Sequence, residues 1–431
     1  MIRCEGFQAA ADALRRDSRS GLLSGVYGGD PEVAKIVEEV VQKVRAGGDR
    51  QLLEYGRVFD GVDLDSLRVQ PHEVRAAYDG VGQEFVDAVN LAMVRVKRFH
   101  EAFAPRTGAT YVEAGLGRQV VPLARVGLYV PGGTAAYPST VVMTAVPARV
   151  AGVNEIVVTS PPARDGRIPA PTLVACDVVG VDAIFKVGGA QGIAALAFGT
   201  ESIGAVDKIC GPGNVYVTVA KKMLYGLVAL DGVAGPSEVL VLADENSNAA
   251  RCAADLLAQA EHDPLASVVL VSTSKGLADE VEREVDRQAA LLSRREIVRK
   301  ALEKGVMAVV DSLDQAVELA NMFAPEHLSL AVDNADEVVP RIRNAGCIFF
   351  GGQVPVALGD YMAGPSHVLP TGGSARFSSP LGVEDFLKVT SIVGLDRSVT
   401  REVSRAAVTI ANSEGLDGHA RALEIMLGEQ R

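Results

Sequence analysis

Histidine is scarce in this chain, six in 431 residues, so the position of each one carries information. Four stand in distinctive contexts: His262 in "QAEH", His327 in "APEHL", His367 in "GPSHVLP" and His419 in "LDGHA". Ligand-type groups lie near three of them. Gln259 and Glu261 precede His262, Asp360 precedes His367, and Glu414 precedes His419. Neutral imidazole nitrogens combined with carboxylate and amide oxygens suit a borderline cation such as zinc. A mixed set of this kind with room for substrate would be catalytic, and the five scattered cysteines offer no thiolate cluster for a structural site. Glu326 and His327 form a different pairing, an adjacent acid and base after a proline and before the apolar run "LSLAV", which suits proton transfer. A histidine taken alone is more often structural, and the chain has no HExxH pair. Spacing alone therefore leaves an ordinary solvated role open for each group. His72 and His100 lie in charged helical surroundings and are expected at the surface.

These side chains need elements to hold them. "DLLAQAEHDP" reads as a helix end stopped by Asp263-Pro264, with Gln259 and His262 on one face. Residues 24–103 have a helical period, and "EVAKIVEEVVQKVRAGGD" closes on a Gly-Gly stop. Beyond them, apolar runs alternate with Ala-rich stretches of helical length. "RVGLYV", "EIVVTS", "AIFKV", "KIC" and "EVLVLAD" each end in a turn signal, and "SVVLVS", "GVMAVV", "LSLAV" and "AGCIFF" resume the rhythm. Strand, turn and helix repeated in this way predict parallel α/β sheets, and the two successive blocks predict two of them. "VGGAQG" and "CGPGN" are strand-to-helix turns whose amides could face a phosphate, although neither is GxGxxG. Cys210 lacks a neighbouring histidine and reads as a buried structural thiol. The Gly/Pro-rich run from Gly351 reads as a long functional loop, and the last fifty or so residues as helices.

Composition narrows the function classes. A net charge of −12 argues against a nucleic-acid partner but not against a small anionic cofactor bound at helix N-termini. No run has the length and apolarity of a membrane span, and the first twenty residues lack a signal-type apolar core. With an odd number of scattered cysteines, a cytoplasmic location is the expectation.

Taken together and in order, "RVGLYVPGGTAAYPS", "VGGAQGIAALAFGTE", "VDKICGPGN", "AGPSEVLVLAD", "DLLAQAEHDP", "APEHL", "GDYMAGPSHVLPTGG" and "EGLDGHA" resemble the histidinol dehydrogenase family over nearly the whole chain. The resemblance implies oxidation of L-histidinol to L-histidine through histidinaldehyde, with two NAD reduced, in histidine biosynthesis. It implies one zinc per site on Gln259, His262, Asp360 and His419, the last supplied by the partner of a homodimer. It implies proton transfer by Glu326 and His327, and NAD contacts at Tyr129, Gln191 and Asn214. Substrate contacts are implied at Ser237, His327, Glu414 and the zinc ligands, with Tyr361 and His367 nearby. Val356 departs from the glutamate that many relatives carry there, which raises a second reading: a related zinc- and NAD-dependent dehydrogenase of another small polar alcohol, such as a hydroxysulfonate. A catalytically silent binding protein on the same scaffold is disfavoured by the presence of both Glu326 and His327. The expected architecture is two incomplete Rossmann-like α/β domains, one inserted in the other. Residues 1–23 are an arm, 24–128 and 238–376 carry the zinc and catalytic residues, 129–237 form the NAD side, and 377–431 mediate dimerisation.

Overall fold

The run Glu238–Ala243, EVLVLA, is buried at every position, as a strand covered on both faces must be. In the computed structural model, which describes residues 1–22, 31–104, 109–132, 136–351 and 354–428, it lies inside a six-stranded parallel sheet. The order of that sheet is Ile2–Glu5, Val306–Val309, Ser267–Ser272, Glu238–Ala243, His327–Leu330 and Cys347–Phe349. A second parallel sheet runs Ala183–Lys186, Glu155–Ser160, Arg125–Tyr129, Lys208–Cys210 and Ala229–Leu230. The protein is thus α/β with two parallel sheets, and every apolar run named above as a strand belongs to one of them.

Three assignments of segments change. Residues expected as an N-terminal arm instead extend the six-stranded sheet, with Ile2 opposite Val306, and Ala10, Ala11 and Leu14 enter its core. Helices Pro31–Tyr55 and Gln83–Phe103, grouped from sequence with the later sheet, share cores with the five-stranded one. Val37, Val40, Val41 and Val44 pack with Tyr129, Phe185 and Ile193, and Val89 and Val96 pack with Val126 and Leu128. That sheet opens at Arg125, ahead of the boundary expected at Tyr129. A helical period shows which face of a helix is apolar but not which sheet it covers. The Gly47-Gly48 stop is a kink: Gly48 has φ 53 and ψ −140, and the helix resumes to Tyr55.

The C-terminal segment is not wholly helical. Leu387–Val393 pairs antiparallel with Leu116–Pro122, which pairs with Tyr111–Glu113. Helices Arg397–Ser413 and Asp417–Leu427 follow and pack on each other.

His100 is also corrected. It is 3% exposed on the inner face of Gln83–Phe103, and burial pushes its ring down to about 4 from 6.5. The unfolded chain therefore binds the proton first, so stability conferred by the neutral ring is present above pH 6.5 and is lost as pH falls towards about 4. The expected loss attributable to His100 is roughly 3 kcal/mol. Urea unfolding across this interval should show a steeper fall in wild type than in His100→Leu; parallel curves would remove the ring as the source.

Candidate active site

The motif "FAPEHL" begins where helix Leu313–Phe323 ends on Ala324, a left-handed residue with φ 54. Pro325 prevents the helix from continuing, and His327 opens the strand His327–Leu330. Glu326 and His327 therefore sit at the N-terminal edge of the six-stranded sheet, beside Glu238, the first residue of the adjacent strand. The Glu238 amide donates to Glu326 Oε2 at 2.8 Å, and Glu238 O lies 3.1 Å from His327 Nδ1. A carbonyl can only accept, so Nδ1 carries the proton of the neutral ring and Nε2 is left as the basic nitrogen. Glu326 and His327 are both buried, with His327 Nδ1 at 3.4 Å from Glu326 Oε2 and Nε2 at 3.7 Å from Asp360 Oδ1. Burial would lower the His327 pKa, but the charges and hydrogen bonds of Glu326 and Asp360 outweigh it and raise it to about 10, so Nε2 holds a proton while both carboxylates face the ring and becomes the base once the Asp360 charge is taken up.

Asp360 comes from the short helix Ala357–Tyr361. Two features hold that helix against the strand. Asp255, buried in helix Ala249–Ala260, accepts from the Val356 amide at 3.0 Å and from Ser329 Oγ at 3.0 Å. Gly359 lies so close to Phe349 that a Cβ would stand 2.5 Å from the ring. Gly359→Ala should therefore push Asp360 away from His327. A displacement of about 1 Å costs on the order of 10²-fold in rate, measurable as kcat/KM in a variant whose folding is checked by circular dichroism. Unchanged kcat/KM would show that the close approach is dispensable.

Around Asp360 the other expected residues divide. Gln259 occupies the last turn of Ala249–Ala260 at 2% exposure, and His262 is exposed in the turn that follows. Burial raises the Asp360 carboxyl, but His327, His367 and His262 together hold it below its ordinary range, which places all three rings within electrostatic reach. His367 Nδ1 lies 3.0 Å from Asp360 O, and burial lowers the pKa of that ring. Tyr361 is half exposed beside Asp360, and Ser237 is half-buried immediately before Glu238. Glu414 and His419 are not part of this cluster: both are exposed at the junction of the two C-terminal helices. Val356 is 1% exposed and packs in the core with Val239, Leu256 and Phe349.

Among the described residues, no three His, Cys, Asp or Glu side chains converge to hold a metal ion. The donor chemistry nevertheless fits zinc. The buried Gln259 amide offers an oxygen donor, and His262 and Asp360 supply nitrogen and oxygen donors.

The residues expected on the NAD side gather at the C-terminal edge of the five-stranded sheet. Strand order reverses there between Arg125–Tyr129 and Lys208–Cys210, the crevice in which open α/β sheets bind ligands. Tyr129 ends the first strand, and its hydroxyl accepts from the Gly189 amide at 3.1 Å. Burial raises Tyr129 to about 12, so the phenol stays protonated. Gln191 is buried in the first turn of Gly189–Phe198, and Asn214 caps Val215–Leu224 by accepting from Val217 N at 3.1 Å. Cys210 is fully buried with its thiol pushed up by that burial, in keeping with a structural role.

Sequence reading missed Asp255, Glu238 and Gly359. Asp255 lies one helical turn before Gln259, on the face that carries it, so a signal was present. Glu238 and Gly359 act through backbone approach, which residue type does not disclose.

Comparison with known proteins gives the family. The family model described as Histidinol dehydrogenase matches residues 28–427. The chain is 48% identical over 428 residues to histidinol dehydrogenase of Dehalococcoides mccartyi strain 195, covering 97% of this chain and 98% of that one. It is 50% identical over 402 residues to that of Geobacter sulfurreducens, covering 92% and 94%. The crystal structure of histidinol dehydrogenase from Elizabethkingia anophelis superposes with a TM-score of 0.92 at 32% identity, covering 99% of this chain and 98% of that one. The chain belongs to the histidinol dehydrogenase family.

Proposed function

We propose that this NAD-dependent oxidoreductase oxidises L-histidinol to L-histidine through histidinaldehyde, reducing two NAD, with Glu326 and His327 as the proton-transfer pair. The observation that carries this is the His327 ring. Its Nδ1 faces a backbone carbonyl, so Nε2 is directed to the Asp360 side of the site as the base. When bound by Gln259, His262, Asp360 and His419, zinc would supply a Lewis acid that orients the alcohol and takes up the Asp360 charge. His327 takes the hydroxyl proton as hydride leaves for NAD, then serves again when the hydrated aldehyde is oxidised. Glu326 activates the water that hydrates the aldehyde. Burial of the pair limits competing water.

The exposed surface of the C-terminal segment supports the same reading. His419 and Glu414 are exposed, and the C-terminal segment also exposes Val389, Val393, Val403, Ile410, Ile425 and Met426. Apolar surface of this extent calls for cover. A homodimer would bury it while carrying His419 to the partner's Gln259, His262 and Asp360, with Glu414, Ser237, Tyr361 and His367 bordering the substrate. No helix among the described residues is long and apolar enough to cross a membrane, and the proposed setting is the cytoplasm.

Initial rates of NADH formation with L-histidinol, set against other polar alcohols and hydroxysulfonates, test the assignment. Preference for a hydroxysulfonate would move the chain to the second reading. Glu326→Gln should leave histidinol oxidation to the aldehyde within a few-fold and slow aldehyde-to-acid conversion by roughly 10²-fold or more. Equal loss in the two half-reactions, each measured from its own substrate, would undo that division of labour.

A further inference from the structure

Among the described residues and away from the catalytic pair, the most completely buried ion pair joins Lys221 to Asp231, with side chains 4% and 3% exposed and Nζ–Oδ1 at 2.5 Å. The remaining side-chain hydrogen bonds of the pair converge on one residue. Lys221 Nζ donates to Gly211 O at 3.0 Å, and the Gly211 amide donates to Asp231 Oδ2 at 2.6 Å. Gly211 has φ +113, and a Cβ there would lie 2.1 Å from Tyr129 O, so this glycine touches the end of the neighbouring strand. Asn214 and the N-terminus of Val215–Leu224 follow directly.

A buried pair of this kind gains little stability over an apolar pair of similar volume, so what it fixes is geometry. Here both peptide groups flanking Gly211 are gripped, one by its N–H and one by its C=O. Asp231 also opens the segment that leads to Glu238–Ala243, the strand beside the catalytic pair. On that segment Ala234 O accepts from Thr218 Oγ1 at 3.3 Å, the Gly235 amide donates to Thr371 Oγ1 at 2.6 Å, and Glu238 N reaches Glu326.

We propose that Lys221 and Asp231 are positioning residues for the dinucleotide: together they set the Gly211–Asn214 loop so that its amides and Asn214 meet NAD. The proposal rests on the NAD site at Tyr129, Gln191 and Asn214. Asp231→Asn should weaken NADH binding by at least about ten-fold, since one partial charge replaces the full charge between Lys221 and Gly211. The double variant Lys221→Met/Asp231→Leu exchanges the pair for apolar volume; it should remain folded and show the same loss. In both, the NAD KM should rise while kcat at saturating NAD and the histidinol KM stay within a few-fold.

NADH fluorescence on binding, thermal melts and the two KM values are measured on the full chain. A folded double variant with wild-type NADH affinity overturns the proposal, and so does an equal rise of both KM values, which is general loosening. Should neither variant fold, hydrogen exchange of the wild type decides: NAD must slow exchange across 211–217 and 231–237 together, and no protection of either segment overturns the proposal. NADH binding is read without turnover, so the clamp can fail while histidinol oxidation stands, and histidinol oxidation can fail while the clamp stands.

Discussion

His327→Asn should suppress both oxidations by roughly 10²–10⁴-fold in kcat, the range a positioned general base supplies. Asparagine is the informative replacement. Its side-chain N–H can still donate to Glu238 O, which the ring nitrogen meets at 3.1 Å, so the local backbone should hold while the basic Nε2 is lost. Substrate affinity should change far less than turnover, because the deleted nitrogen acts on a proton that moves only during reaction. Single-turnover NADH formation from histidinol and from histidinaldehyde provides the two readings. Loss confined to the alcohol step would give the second oxidation another base, and full activity in both would remove His327 from the chemistry.

The proposal of a shared site predicts recovery from two dead chains. His262 belongs to the turn after Ala249–Ala260, whereas His419 stands exposed on the C-terminal helix Asp417–Leu427. His262→Ala and His419→Ala homodimers should each be inactive and bind zinc weakly. In the mixed dimer both lesions fall in one site and the other site is intact, so that species should show about half of wild-type activity. Co-refolding with two different affinity tags isolates it. Heterodimers without activity would mean that His419 serves its own chain. Metal content should follow activity, since the ligands that close a site across an interface link dimerisation to binding.

The parallel sheets were legible because buried strands such as EVLVLA and SVVLVS are nearly uninterrupted apolar runs bounded by turn signals. Leu387–Val393 was not: its four central positions are all exposed, so no alternation marks it, and only its partner Leu116–Pro122 defines it. The packing of the N-terminal helices on the five-stranded sheet is a choice between two apolar faces that no local period encodes. His100 was misplaced because the charged residues around it occupy the outer face of the helix whose inner face it joins. At the site, scarce histidines with nearby acids pointed to Glu326, His327 and Asp360, which the fold brings together. What the spacing could not reveal is that Glu326 and His327 lie at the N-terminal ends of the strands, opposite the edge where α/β sheets usually bind ligands, while the NAD-side residues keep to the usual edge. Asp255 and Gly359 act by setting the approach of Asp360, through contacts visible only in three dimensions.

The most direct test of the central claim is a count: NADH formed per L-histidinol consumed, with excess NAD and the zinc-loaded protein, alongside identification of the product. The account predicts two NADH and L-histidine, with no aldehyde accumulating. One NADH with released aldehyde, or no consumption of histidinol at all, would contradict it.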